Sequence, residues 1–167
     1  HYAIFAVEEY SRYIFVEFLK TKETREQVAA LARIIGTFNS MVNVGSDVDG
    51  KPLPKPTVSV IRSDHEGAFE SQLFDSFRTE LGFHSTMSPP HDHDLNPIAE
   101  SAIGTISDLA CCIRGHSGAP RGLWPHVIEH AVNIHNSTSS SCGTSSAESL
   151  VSAYQRLTLA QPSVMDI

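Results

Sequence analysis

Cysteine is scarce in this chain, and basic charge is scarcer than acidic. Cys111, Cys112 and Cys142 make an odd set whose adjacent pair cannot readily bridge to itself in regular structure, so no disulfide framework is expected and a reducing compartment suits it. Twelve Lys and Arg stand against 19 Asp and Glu, a formal net charge of −7 with a pI near 5.6. That balance excludes the broad basic face that gives nucleic-acid binders their backbone affinity, so any DNA contact must draw on a local patch or another segment. Long hydrophobic runs are absent too, and the opening "HYAIFAVEEYSRY" is charged within its first ten positions. Neither a transmembrane helix nor a signal peptide is therefore expected, and the sequence reads as a soluble intracellular protein. What is present is globular: 167 residues, 41% apolar and 19% charged, enough for one domain with one core.

The β-branched and aromatic segments "YAIFAVEE" and "YIFVEFL", joined by the short polar "EYSR", predict an antiparallel hairpin. In its second strand Ile14, Val16 and Phe18 share one face; Phe15, Glu17 and Leu19 form the other, expected to be partly covered. Thr24 and Gln27 have capping-box spacing before a helix with Val28, Leu31, Ile35, Phe38 and Val42 on its stripe. "NVGSDVDGKPLPKP" is turn chemistry; Asp47, Asp49 and Gly50 resemble a calcium loop but lack its downstream Glu and flanking helices. "TVSVIRSD" reads as a short buried strand, and a helix through Phe69, Leu73, Phe74, Phe77 and Leu81 should stop at Gly82. "FHSTMSP" is extended, and Asn96 with Pro97 starts a helix whose stripe is Ile98, Ala102, Ile106, Leu109 and Ile113. "GHSGAP" breaks it, Trp124, Val127, Ile128, Ala131 and Ile134 mark the next helix, and Ser145 with Glu148 should cap a last one after a Ser-rich linker. The order predicts an α/β fold with a mixed sheet.

Two carboxylates stand out. Asp64 follows the third predicted strand, where open α/β sheets place their sites, and Glu100 lies on the first turns of a helix, off its buried stripe. Together they could hold a hard divalent cation; two such ions would clamp the oxygens of a phosphodiester. Equally, Asp64 could cap the following helix and Glu100 could be a solvated first-turn carboxylate favoured by the helix dipole. His91 and His93, with Cys111 and Cys112 downstream, have no CxxC or HxxxH spacing beside them and read as part of a polar loop rather than a zinc site. His126 and His130 share a helical face, and with His135 they lack a third ligand nearby. Ser149 and the other serines have no base and orienter, so nucleophilic catalysis is not expected.

The blocks "EEYSRYIFVEFLKTK", "IRSDHEGAFES", "LGFHSTMSPPHDHDLNPIAE" and "GLWPHVIEHAVNIHN" resemble, in order and spacing, the integrase catalytic core of copia-type LTR retrotransposons. The 35 residues between Asp64 and Glu100 match the second and third members of that family's D,D-35-E triad. The resemblance implies a ribonuclease H-like fold, with residues 1–150 as the core-like domain and 151–167 as a C-terminal tail. It implies Mg²⁺ or Mn²⁺ held by Asp64 and Glu100, and polynucleotidyl transfer in 3′-end processing and strand transfer. DNA would be the partner, with Arg62 and Lys20 as modest phosphate contacts, and a homo-oligomer in the nucleus would be the working form.

The departures point another way. "SDHEGAF" stands where the family has "SDNGGEF", and "NPIAES" where it has "NGIAER", so Ser101 replaces a cation and Glu66 adds an anion. The family's first catalytic Asp belongs to a "D-x-x-G-P" strand before the hairpin. That strand is expected to be missing here, and Glu8 and Glu9 are poorly placed to replace its Asp. Catalysis is not expected from the fragment alone, which leaves a non-enzymatic remnant, binding DNA or a partner chain at most, as the alternative. A third reading, a generic acidic domain with Asp64 binding Mg²⁺ for phosphoryl signalling, would require an all-parallel five-stranded sheet.

Overall fold

The computed structural model describes residues 2–42, 58–63, 67–87, 97–138, 152–159 and 164–166. Its first elements are the predicted hairpin: β1 (Tyr2–Glu8) and β2 (Ile14–Leu19) run antiparallel, with Tyr2 opposite Leu19 and Val7 opposite Ile14. Helix α1 (Thr24–Met41) follows, burying Ala30, Leu31, Ile34, Ile35 and Phe38. The capping box expected from Thr24 and Gln27 does not form, because the chain enters the helix one residue earlier, through Glu23, whose side chain makes no cap bond. Glu26 reaches back instead. Its carboxylate accepts hydrogen bonds from Lys20 N and Thr21 N, both at 2.8 Å, and from Thr21 Oγ1 at 2.6 Å. The Thr21 hydroxyl first, then the Lys20 and Thr21 amides, hold the Glu26 carboxyl below its usual range.

Strand β3 (Val60–Ser63), helix α2 (Gln72–Leu81) and strand β4 (His84–Met87) form a parallel crossover in which Val60 lies opposite His84 and Ser63 opposite Met87. Ser71 Oγ caps α2 by accepting from Phe74 N at 3.2 Å. Gly82, at φ 73°, ends the helix in the left-handed region that favours glycine and donates its N–H to Arg78 O. Leu73 and Leu81, read as part of the apolar stripe, are exposed, and Phe74 is the buried residue of α2.

Helix α3 (Pro97–Ser117) begins at the predicted proline and ends before Gly118, and a 3-10 turn (Arg121–Leu123) leads into α4 (Trp124–Ser137). The short α5 (Ala153–Leu159) opens on a reciprocal cap not singled out in the sequence: Ser152 Oγ accepts from Gln155 N at 3.2 Å, and Gln155 Oε1 accepts from Ser152 N at 2.9 Å. Ser145, Glu148 and the turn-rich stretch carrying Asp47, Asp49 and Gly50 lie outside the described residues.

The last element, β5 (Val164–Asp166), was not foreseen as a strand. It lies inside the sheet, whose order is β2-β1-β5-β3-β4. β5 runs antiparallel to β1, with Val7 opposite Asp166, and parallel to β3, with Arg62 opposite Asp166. Residues set apart above as a tail thus supply both α5 and the strand that joins the hairpin to the β3–β4 pair. The sheet is mixed, as expected for the integrase-like reading, and not the all-parallel sheet of the signalling alternative.

Both faces of the sheet are covered. On one, Ala6, Phe15 and Ile61 pack against Leu31, Ile34 and Phe38 of α1 and against Phe69, Phe74 and Phe83. On the other, Val7 and Ile14 pack against Ala99, Ile106 and Ala110 of α3 and Val127, Ala131 and Val132 of α4. The second face of β2 is therefore more fully covered than its alternation suggested: Phe15 and Leu19 are buried because α1 lies across them. Asn136 of α4 ties that helix to the sheet through both groups of one residue, accepting from Ile14 N at 2.9 Å and donating to Ile14 O at 2.8 Å.

Candidate functional site

Glu100 sits on the first turn of α3, where a carboxylate is favoured by the helix dipole. Its neighbour Ala99 is buried in the cluster that includes Val7 of β1, which seats the start of the helix on the sheet, and Glu100 is turned outward. Glu100 is exposed and makes no hydrogen bond or ion pair among the described residues, so its oxygens are available to a ligand. This is the helical phase that Ile98, Ala102 and Ile106 predict. The buried contacts centre on Ala99, Ile106 and Ala110, with Ile98, Ala102, Leu109 and Ile113 only partly buried.

Asp64 follows Ser63, the final residue of β3, and lies with His65 and Glu66 outside the described residues. His91, His93, Asn96, Cys142 and Ser149 lie outside them as well. β3 itself is well placed. Ile61 is fully buried on the α1 side, so Arg62 alternates to the side where Val7 meets α3.

The two glutamates of the hairpin are already engaged. Glu8 is 1% exposed, and its carboxylate accepts from Tyr10 N at 3.1 Å and Ser11 N at 2.6 Å. Its backbone closes the same turn, donating to Tyr13 O and accepting from Arg12 N, and Arg12 takes a φ of 62° to bring the chain round. Such an arrangement makes the Glu8 side chain the internal acceptor of a tight turn. Glu9 extends the other way and pairs with Arg62 Nη1 at 3.3 Å. Sequence reasoning doubted both as catalytic replacements; it missed the turn role of Glu8, whose carboxylate accepts from the amides of Tyr10 and Ser11.

Beside this turn is a cleft of about 340 Å³ lined by Val7, Arg12, Ile98, Ser101, Thr105 and His135. It is bounded by the turn and the start of α3, with Arg12 and His135 as its basic groups. Lys20 is exposed, and Arg62 is committed to Glu9. Among the described residues no group of three His, Cys, Asp or Glu side chains could hold a metal ion. Cys111 and Cys112 are free and exposed, and His126 lies 3.9 Å from Glu129. The candidate donors Asp64 and Glu100 are both carboxylates, and oxygen of that kind suits a hard cation such as Mg²⁺ or Mn²⁺.

No family model matches the chain, and no curated protein matches it in sequence. Solved structures do. A chain of the simian T-cell lymphotropic virus intasome, determined in complex with PP2A regulatory subunit B56 gamma, superposes with a TM-score of 0.67 at 17% identity over 93% of this chain. The catalytic core domain of BIV integrase gives 0.62 at 14% identity, covering 91% of this chain and 82% of its own length. The HTLV-2 integrase catalytic core domain, in complex with magnesium and in dimeric form, gives 0.58 at 20% identity, covering 90% of this chain and 79% of its own. The fold is that of a retroviral integrase catalytic core. The chain spans 47% of the intasome chain, so activities that need the rest of such an assembly are not carried by the likeness. Among the described residues no helix is long and apolar enough to cross a membrane.

Proposed function

We propose that the chain is the catalytic-core domain of a copia-type retrotransposon integrase, with Asp64 and Glu100 as ligands of Mg²⁺ or Mn²⁺. The observation that carries the reading is the position of Glu100: exposed, without a hydrogen bond or ion pair among the described residues, on the first turn of the helix seated on an integrase-like sheet. The 35-residue spacing from Asp64 and the magnesium of the HTLV-2 core support it. When bound, the ion supplies positive charge to a phosphodiester under attack and acidity to a coordinated water. The substrate would be DNA, both retrotransposon ends and target. The dimeric form of the HTLV-2 core supports a homo-oligomer as the working state, and integration into chromosomes would place it in the nucleus.

The experiment is a thermal melt with and without Mn²⁺. The wild type should gain melting temperature with the ion, whereas Asp64→Asn and Glu100→Gln should each abolish the gain; an undiminished shift in both variants removes the site. Strand transfer on a short duplex tests catalysis separately. A second reading, a non-enzymatic remnant that retains the fold, draws support from the net charge of −7 and from the engagement of Arg62 by Glu9. It predicts a metal response without strand transfer.

A further inference from the structure

Arg12 stands where the backbone favours another residue. Its φ of 62° lies in the left-handed region, which glycine or asparagine enters more readily than a residue with a long side chain. Its guanidinium is unusual as well. Arg62 and Arg78, half-buried like Arg12, pair with Glu9 at 3.3 Å and with Asp75 at 3.0 Å. The guanidinium of Arg12 makes no hydrogen bond or ion pair among the described residues, in a chain with 19 Asp and Glu against 12 Lys and Arg. A half-buried charge without a partner gives up hydration and gains nothing in return. Residues kept in strained or costly settings cluster at binding and catalytic sites.

Arg12 lines the cleft of about 340 Å³ between the hairpin turn and the start of α3, a volume at the lower end of the range for ligand pockets, roughly 300–1,000 Å³. Val7, Ile98 and Ala102 give it apolar walls, and none of its lining residues is acidic. Ser101 Oγ makes no hydrogen bond among the described residues and can donate one, whereas Thr105 has given its proton to Ser101 O at 2.9 Å. His135 adds a second basic side chain. We propose that the cleft binds a small amphipathic carboxylate, with its two oxygens on the guanidinium of Arg12 and its short apolar or aromatic body against Val7, Ile98 and Ala102. The planar fork of an arginine matches a carboxylate in a bidentate pair. A compact hydrated anion such as inorganic phosphate would satisfy Arg12 but would shed water against the apolar walls without replacing it. Neither Asp64 nor Glu100 lines the cleft, so the site stands or falls apart from the metal reading.

The test is a titration of the full chain with phenylacetate, without added metal, followed by calorimetry and by proton–nitrogen correlation spectra. Phenylacetate should bind saturably and shift the amide signals of Ser101 and Ala102. Phenylacetamide, which lacks the charge, and acetate, which lacks the ring, should each bind about tenfold more weakly or worse. Arg12→Gly should weaken phenylacetate about tenfold or more and melt no lower than the wild type, because glycine enters a φ of 62° freely. Ser101→Phe, at an exposed helical position, fills the cleft and should abolish binding even if residue 12 proves necessary to the turn. Wild-type affinity in either variant overturns the proposal, as does the absence of saturable binding. Equal binding of phenylacetamide would leave a plain apolar groove, and tighter binding of inorganic phosphate than of phenylacetate would make the cleft a phosphate seat; each overturns the assignment to a carboxylate.

Discussion

The two faces of the sheet are packed by different chemistry. Toward α1 the core is aromatic: Phe15 meets Phe38 at 6.3 Å between ring centroids, Phe69 meets Phe74 at 5.2 Å, and Phe74 meets Phe83 at 6.0 Å, all near edge-to-face. Toward α3 and α4 the buried residues are aliphatic and often small, with Ala99, Ala110 and Ala131 among them, and rings lie at the margin, where Phe18 meets Trp124 at 5.5 Å. Aromatic rings bury the most area per residue and hold their neighbours by ring geometry as well. Alanines allow a helix backbone to come close to what it packs on. The ringed face thus holds the domain together by large side chains; the other seats the start of α3 closely, with the exposed Glu100 next to the buried Ala99.

That division can be broken from either side. The largest effect is expected from Phe38→Ala, a fully buried ring of the aromatic face, at about 3–5 kcal/mol of lost stability in urea unfolding. Its folded fraction should still respond to Mn²⁺, since the cavity lies across the sheet from Glu100; loss of the response would mean that the two faces are not independent. A smaller effect is expected on the other face from Asn136→Ala, which removes the amide that serves Ile14 N and O. Leaving those backbone groups without a partner should cost about 1–3 kcal/mol, read as a shift in the urea midpoint. Asn136→Asp, which sets a buried carboxylate against Ile14 O in place of a donor, should cost at least as much as the alanine.

The smallest effect belongs to neither face. Glu26 has its carboxyl held below the usual value of 4.5 by Thr21 and the amides of Lys20 and Thr21. Folding therefore favours its charged form. The stabilisation is complete above the unfolded-state pKa and is lost as pH falls through the lower folded-state value. Urea midpoints measured between about pH 3 and pH 6 should decline less steeply on acidification in Glu26→Gln than in the wild type; parallel curves would show that these bonds do not persist in solution.

Much of this was legible in the sequence, for reasons that differ by element. The hairpin announced itself through alternation, α3 through Pro97 and its apolar spacing, and the exposure of Glu100 followed from helical phase alone. β2 was half read: alternation showed two faces, but only α1, docked from elsewhere in the chain, decides that Phe15 and Leu19 are buried. Glu8 could be seen as poorly placed for catalysis, yet its place in the turn depends on the course of the backbone through Tyr10 and Ser11, which no pattern of residue types announces. β5 left no signal. Three residues are too few for a period, and a strand held on both edges by β1 and β3 needs little intrinsic preference of its own. Asp64 stands out only through its spacing from Glu100 and the resemblance, since an Asp after a strand is as often a helix cap.

The sheet order also dictates a sequence of events in time. Val7 finds its β5 partner, Asp166, almost the whole chain away, whereas the hairpin and the β3–β4 crossover can form from nearby residues. Contacts of such long separation are the slow ones, because the loop entropy is spent before the pairing returns anything. Two half-sheets, each with an inner edge open to other strands, should therefore accumulate ahead of the complete one during refolding or on the ribosome. In that interval the chain is most exposed to association with its own copies.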